Sequence, residues 1–307
     1  MQLEDLSNTK QRKQPKERRR RVRKDREMTS KSSAWYIITL ICCVVGFIAT
    51  TGSLIWYGIQ ANKASAVFAE YQPVETEELS VESLPTVLTY VDVQGIYVWD
   101  RYVNAYLKNS DCIGWIHIPG TEIDYPVAQS VDTPDYYLHR DLNKEYSFAG
   151  TIFADSGANL QTLSNNVVLY GHHMRNGSMF ASLENYDSEE YFNQHKTIVF
   201  DTINGRQTYE VISAFRISAN NEFKYASFLE SKDEEEMQQW IDEVLERSYI
   251  KGTTASRSDK FLTLSTCDYT LSDGRFVVVA KMVSNSDMAV KKYITLNEYQ
   301  SGKESEK

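Results

Sequence analysis

Apolar and polar positions change their period several times along the chain, and each change marks an element. Residues 34–60 read AWYIITLICCVVGFIATTGSLIWYGIQ without a single charge. A helix of that length crosses a bilayer core of about 30 Å. Trp35, Tyr36, Trp56 and Tyr57 lie near its two ends, where amphipathic rings favour the headgroup level. Residues 61–90 carry scattered small residues and the acids Glu70, Glu75, Glu77, Glu78 and Glu82, and are expected to form a stalk that turns helical near the membrane. Tyr97, Val98, Tyr102 and Tyr106 recur at helical spacing, which predicts a short helix over 93–108 ended by Asn109-Ser110-Asp111.

Beyond that point alternation takes over. Residues 113–118 and 123–127 read as strands joined by Pro119-Gly120, followed by strands at 149–153 and 167–170. Strands at 197–201 and 207–217 flank Asn204-Gly205, a hairpin signal. Between them and the last strands, 233–249 places Met237, Trp240, Ile241, Val244 and Leu245 on one stripe of a helix and its acids on the other face. Residues 261–283, FLTLSTCDYTLSDGRFVVVAKMV, are two β-branched runs separated by a loop. After Val283 the chain reads as polar to its end. Short strands at this spacing predict a small barrel or sandwich, mainly β with flanking helices.

Charge divides the chain further. The net charge of -9 splits into an excess of seven positive charges before Ala34 and about -16 after it, so the body will not hold nucleic acid by its phosphates. Residues 1–33 lack apolar periodicity and are expected to be a disordered basic tail. The run RRRRVRK also fits nucleic-acid binding or nuclear import, but its place beside the apolar segment favours a role in topology. Lys and Arg before the span and acids after it orient the N-terminus to the cytoplasm and 61–307 to the outside. The competing reading is a cleavable signal peptide, for which ANKASA at 61–66 offers a cleavage site. The expected division is a cytoplasmic tail (1–33), a transmembrane helix (34–60), an extracellular stalk (61–90), a catalytic domain (91–284) and a polar C-terminal tail (285–307).

Four cysteines are present: Cys42 and Cys43 in the apolar segment, and Cys112 and Cys267 in the body. Their spacing offers no metal knuckle, and a Cys112–Cys267 disulfide would silence the second thiol. Cys267 ends the first strand of 261–283 and Arg275 opens the second. A thiol at a strand mouth beside a guanidinium fits a nucleophile, while a small buried hydrophobe is the ordinary alternative for a free cysteine. Arg275 otherwise reads as a surface ion pair with Asp268 or Asp273. Among the five histidines, His117 should face away from Ile116 and Ile118, and His139 and His195 lie in loop-like stretches without distinguishing neighbours. His172 and His173 differ, because a buried strand delivers them through Gly171 to a loop. Such a histidine activates a thiol and protonates a leaving group, while a fixed positive charge balances the oxyanion.

LSTC followed by an arginine that opens VVVAK, with YGHHM and GSMF earlier, resembles a sortase of class B. DCIGWIHIPGTEIDYPVAQ and DYYLHRDLNKEYSFAGTIFAD are similar to the opening strands of that class. The resemblance runs from about 109 to 283 in order and spacing. It implies a membrane-anchored cysteine transpeptidase of a Gram-positive bacterium on an eight-stranded β-barrel with flanking helices, the helix 233–249 lying between the sixth and seventh strands. Cys267 matches the nucleophile, His172 the catalytic histidine and Arg275 the catalytic arginine. Tyr170, Ser265 and Thr266 match the substrate groove, Asp268 an acidic neighbour of the thiol within the same substrate-binding set, and His173 a position without a catalytic role. The implied partners are a secreted protein with a C-terminal sorting motif and an amine of a cell-wall precursor or pilin. No metal or other cofactor is implied. Plain hydrolysis, pilus building and a non-catalytic tethered binding module stay open as alternatives.

Overall fold

The computed structural model describes residues 16–74, 85–270 and 273–305. In chain order the elements are α1 (Lys16–Glu70), β1 (Val87–Val93), β2 (Ile96–Trp99), α2 (Val103–Lys108), β3 (Cys112–His117), β4 (Asp124–Ala128), β5 (Ile152–Ala154) and β6 (Asn166–Tyr170). There follow α3 (Glu189–Gln194), β7 (Thr197–Thr202), β8 (Gly205–Ser218), α4 (Glu234–Arg247), β9 (Phe261–Asp268), β10 (Gly274–Asn285), β11 (Val290–Thr295) and α5 (Leu296–Ser305). By contacts the chain forms two units, 1–59 and 60–307.

Within the first unit, α1 leaves its apolar side chains exposed all round, Trp35, Phe47 and Leu54 among them. A helix apolar on every face is matched to a nonpolar surrounding. The Thr39 and Thr50 hydroxyls return to carbonyls of the preceding turn, so neither is left unpaired. From Ala34 to Glu70 the helix is long and apolar enough, by length and composition, to cross a membrane. The helix already begins at Lys16, where a disordered tail was expected. Residues 16–33 contain neither Gly nor Pro and are rich in Lys, Arg and Glu, all good helix formers.

In the second unit, the end of α1 belongs to the folded body and not to a free stalk: Ala64, Val67, Phe68 and Tyr71 are buried. Val67 and Tyr71 pack with Ala105, Cys112, Tyr137 and Leu142. Residues 75–84 of the expected stalk lie outside the described residues. The expected helix over 93–108 is divided. Gln94 and Gly95 both take positive φ (56° and 89°), a tight turn that folds β2 back on β1, and only Asp100–Tyr102, a 3-10 turn, and α2 remain helical. β1 also pairs in parallel with β11, giving a three-stranded sheet in the order β11-β1-β2. The expected polar tail therefore carries a strand and a helix. β11 keeps nearly every side chain exposed and is held through its backbone, so no apolar alternation announces it, while Leu296 and Tyr299 of α5 pack on Leu88, Trp99 and Tyr102.

The other eight strands close a barrel in the order β10-β8-β7-β3-β4-β5-β6-β9, the mainly β fold the resemblance implied. β4/β5 and β6/β9 pair in parallel, the remaining neighbours antiparallel. α4 lies between the sixth and seventh barrel strands. Asp233 caps it by accepting from the Glu235 and Glu236 amides. Its stripe of Met237, Trp240, Ile241 and Val244 covers the outer barrel face at Ile212, Phe215, Phe261, Val277 and Val279. Trp240 stacks on Phe228 at 4.8 Å and 14°. Odd-numbered positions of β9 thus face outward, beneath the β8–β9 connection, and even-numbered ones face the interior.

Candidate active site

One rim of the barrel collects the ends of β6, β9 and β10. In the antiparallel β9/β10 ladder Cys267 sits directly opposite Arg275. Opposed side chains of such a pair have Cβ atoms about 5 Å apart. β6 runs parallel to β9 with Tyr170 opposite Ser265, and the Gly171 amide continues the ladder to the Ser265 carbonyl at 3.1 Å. β6 ends there, so His172 stands two residues beyond it at the same rim that Cys267 reaches two residues past Ser265 on β9. Gly171 is what lets the chain turn there, since a Cβ would meet Ile152 at 2.4 Å and Phe180 at 2.7 Å. Three residues from distant stretches therefore gather at one rim of the barrel.

His172 and His173 leave this turn toward different surroundings. His172 Nε2 lies 2.8 Å from the Leu138 carbonyl oxygen, and its ring stacks on His139 with centroids 5.0 Å apart. Because a carbonyl only accepts, that bond places a proton on Nε2 and leaves Nδ1 as the titrating nitrogen. Burial lowers the pKa of the imidazole below its usual value and the neighbouring His139 adds to this, against the opposing effect of Leu138. His173 instead lies with Nε2 3.2 Å from Glu184 and its ring edge-on to Tyr269. These contacts commit it to the fold, in surroundings separate from those of His172.

Arg275 donates from Nη1 to the Gly274 carbonyl at 2.9 Å. The anticipated ion pairs do not form: Asp268 bonds Arg216 at 2.6 Å, and Asp273 accepts from Asn220. A guanidinium carries five N–H donors, so Arg275 keeps others to offer an anionic oxygen. Cys267 is half-buried and, like Cys112, a free thiol. Cys112 is buried, which pushes its thiol up to about 12 and marks it as core.

Of the anticipated groove residues, Ser265 lies on the same face of β9 as Cys267, its hydroxyl 2.8 Å from the Tyr225 hydroxyl. Tyr170 is half-buried and donates to Asp155 at 3.0 Å. Thr266 and Asp268 point to the opposite face and are buried. Asp268 is held below the usual carboxylate range: burial works against this, but Thr270 and Arg216 outweigh it with hydrogen bonds and charge. Its carboxylate ties the mouth of β9 to β8. Three further residues at the site escaped sequence reasoning: His139, Tyr225 and Arg216. Burial raises the pKa of the Tyr225 phenol, against Ser265 and the nearby charge of Arg275, so this ring borders the same rim. All three reach the site through tertiary contacts; the aromatic-rich DYYLHRD stretch was the one available signal for His139.

Comparison with known proteins bears on this geometry. The family described as Sortase domain matches residues 116–283. Sortase B of Staphylococcus aureus is 35% identical over 181 residues, covering 58% of this chain and 72% of that protein. Sortase B of Listeria monocytogenes is 36% identical over 193 residues, covering 61% and 76%. A solved Staphylococcus aureus sortase B–substrate complex is similar with a TM-score of 0.55 and 34% identity, over 58% of this chain and 82% of that one.

Proposed function

This chain belongs to the sortase family as a class B sortase, a cysteine transpeptidase, and we propose that Cys267, His172 and Arg275 carry its reaction. The observation that carries this reading is the pairing of Cys267 opposite Arg275 at the rim where β6 ends beside β9, two residues before His172. Neutral His172 takes the thiol proton on Nδ1, and the thiolate sulfur bonds to the scissile carbonyl carbon of a sorting motif. The carbonyl π electrons move to oxygen, where Arg275 donates to the oxyanion. Collapse expels the amine, which leaves with the proton from Nδ1, and a thioacyl enzyme remains. An acceptor amine then attacks the thioester, Nδ1 takes its proton, and the sulfur departs to be reprotonated. Atoms and charge return to their starting state.

The substrate is a secreted protein bearing a C-terminal sorting motif, and the acceptor is an amine of the cell wall. The relatives include a sortase B solved with its substrate and another solved with triglycine, the latter offering the kind of primary amine this second step needs. Tyr170, Ser265 and Tyr225 border the groove that receives the motif, while Thr266 and Asp268 shape it from behind. Residues 34–60 span the membrane with the basic 1–33 in the cytoplasm, which holds the catalytic domain outside, where exported proteins emerge. To test the reading, the full chain in detergent is incubated with a panel of fluorogenic sorting peptides, with and without triglycine, beside Cys267→Ala. Amine-dependent product and an acyl adduct on Cys267 are expected; absence of both from every peptide overturns it.

A further inference from the structure

We propose that His139 is a positioning residue for the transpeptidation, its ring fixing the plane of the imidazole that carries the proton. This rests on the assignment of His172 as that imidazole. Two consecutive residues of one turn hold His172 from two sides: the Leu138 carbonyl takes its edge at 2.8 Å, and the His139 ring covers a face at 5.0 Å and 29°. The Tyr146 ring in turn lies near-parallel to His139 at 6.4 Å.

The turn is built to stay in place although His139 itself is exposed. Tyr137 is fully buried, with its hydroxyl donating to Asp111 at 2.6 Å. The Ser147 amide bonds the His139 carbonyl at 3.1 Å, and the Thr151 amide bonds the Tyr137 carbonyl at 3.0 Å. Gly150 passes so close beneath that a Cβ there would meet the Leu138 carbonyl oxygen at 2.3 Å. A rigid loop that presents a carbonyl and a flat ring to one imidazole removes most of its rotational freedom.

The stack also has an electrostatic consequence. A second proton on His172 creates a cation against the His139 ring, which disfavours that proton. The other titratable or charged groups that face the rim are Cys267 from β9, Arg275 from β10, Tyr225 from the β8–β9 connection and Tyr170 at the end of β6, whose hydroxyl is bonded to Asp155. Tyr146 backs His139, and Arg140 is turned onto the Tyr136 ring at 4.5 Å. His139 is the one whose ring is stacked on His172.

The test uses the full chain in detergent with His139→Ala and His139→Phe, reading kcat, KM, the pH profile, and the titration of His172 by NMR. For His139→Ala we expect kcat to fall roughly tenfold with KM for the peptide little changed, and the His172 midpoint to move up toward its ordinary value. His139→Phe, which keeps a flat ring without charge, should recover most of kcat. An Ala variant with unaltered kcat, pH profile and midpoint overturns the proposal, as does a Phe variant no better than Ala. The NMR readout needs no turnover. Failure of the wild type to cleave any peptide would therefore count against the assignment of His172, and an unmoved midpoint against His139.

Discussion

Cys267 and Arg275 are cross-strand partners, directly opposed on β9 and β10. The ladder itself therefore sets their separation, and neither needs a flexible loop to find the other. Arg275 is also left without the acidic partner that its neighbours in sequence suggested, because Asp268 is taken by Arg216. A guanidinium held beside a thiol, with no carboxylate paired to it among the described residues, suits an oxyanion that exists only during reaction.

Replacement of that guanidinium should therefore lower kcat more than it alters peptide binding. Arg275→Ala is expected to reduce kcat/KM by about 100-fold or more, the scale of losing an oxyanion donor. Arg275→Lys should recover only part, since a point charge does not reproduce the planar fork. Steady-state kinetics with a fluorogenic sorting peptide, alongside mass spectrometry of the Cys267 adduct, distinguishes these outcomes from a simple folding loss. Equal activity in all three proteins would remove Arg275 from the mechanism.

The lowered pKa of His172 gives a second expectation, with a defined sign. Burial favours the neutral ring in the folded state, so between the folded pKa and about 6.5 the unfolded chain binds more protons. Stability linked to this residue is complete above 6.5 and declines as pH falls through that window. The histidine resonance should titrate below 6.5, and His172→Gln should flatten the corresponding part of the stability curve measured by urea unfolding. A midpoint at or above 6.5 contradicts the burial of this ring.

A third expectation concerns the clamp behind the site. Arg216 reaches both Asp268 at 2.6 Å and Asp187 at 3.1 Å, and its guanidinium lies over the Phe276 ring at 4.9 Å. The Asp268 side chain is fully buried, so removing Arg216 strands a carboxylate in the barrel wall. Arg216→Ala and Asp268→Asn should each cost about 3 kcal/mol, and the double variant much less than their sum. Because the Asp268 pKa is lowered, its contribution is present above the ordinary carboxylate range and lost as pH falls through the folded value. Additive losses in chemical denaturation would show the two residues to be independent.

How much of this was readable in the chain depended on whether a residue's neighbours are local. Cys267, Arg275 and His172 stand at ends of apolar β-branched runs, and a strand's end can be read from its own pattern. α4 was legible for the same reason, since its stripe records the face it buries. The small sheet was not. It joins β1 to a β11 that is about 200 residues away and exposes its side chains, so the ladder that stabilises it leaves no trace in hydropathy. Gln94-Gly95 makes a turn that the tyrosines at helical spacing around it obscure. His139, Tyr225 and Arg216 gained their neighbours through loops and a barrel register that no single stretch encodes.

Gly171 offers the sharpest separation between stability and chemistry. It lies between Tyr170, the last residue of β6, and His172, and its φ is not in the left-handed region, so backbone strain does not require glycine there. Space does. An added Cβ would approach the Ile152 side chain at 2.4 Å and the Phe180 ring at 2.7 Å, both fully buried. These side chains cannot move into solvent, so the backbone at 171 must retreat, and His172 moves with it. Gly171→Ala should cost about 1–3 kcal/mol, as overpacking of a filled core does. It should also cost activity beyond that, because a displacement near 1 Å at the proton carrier lowers the rate by about 100-fold. Combining it with Ile152→Val, which shortens the obstructing side chain, should restore part of both. Melting curves and kcat measured on the single and double variants decide the matter: a Gly171→Ala protein destabilised but fully active would show that the turn does not place His172.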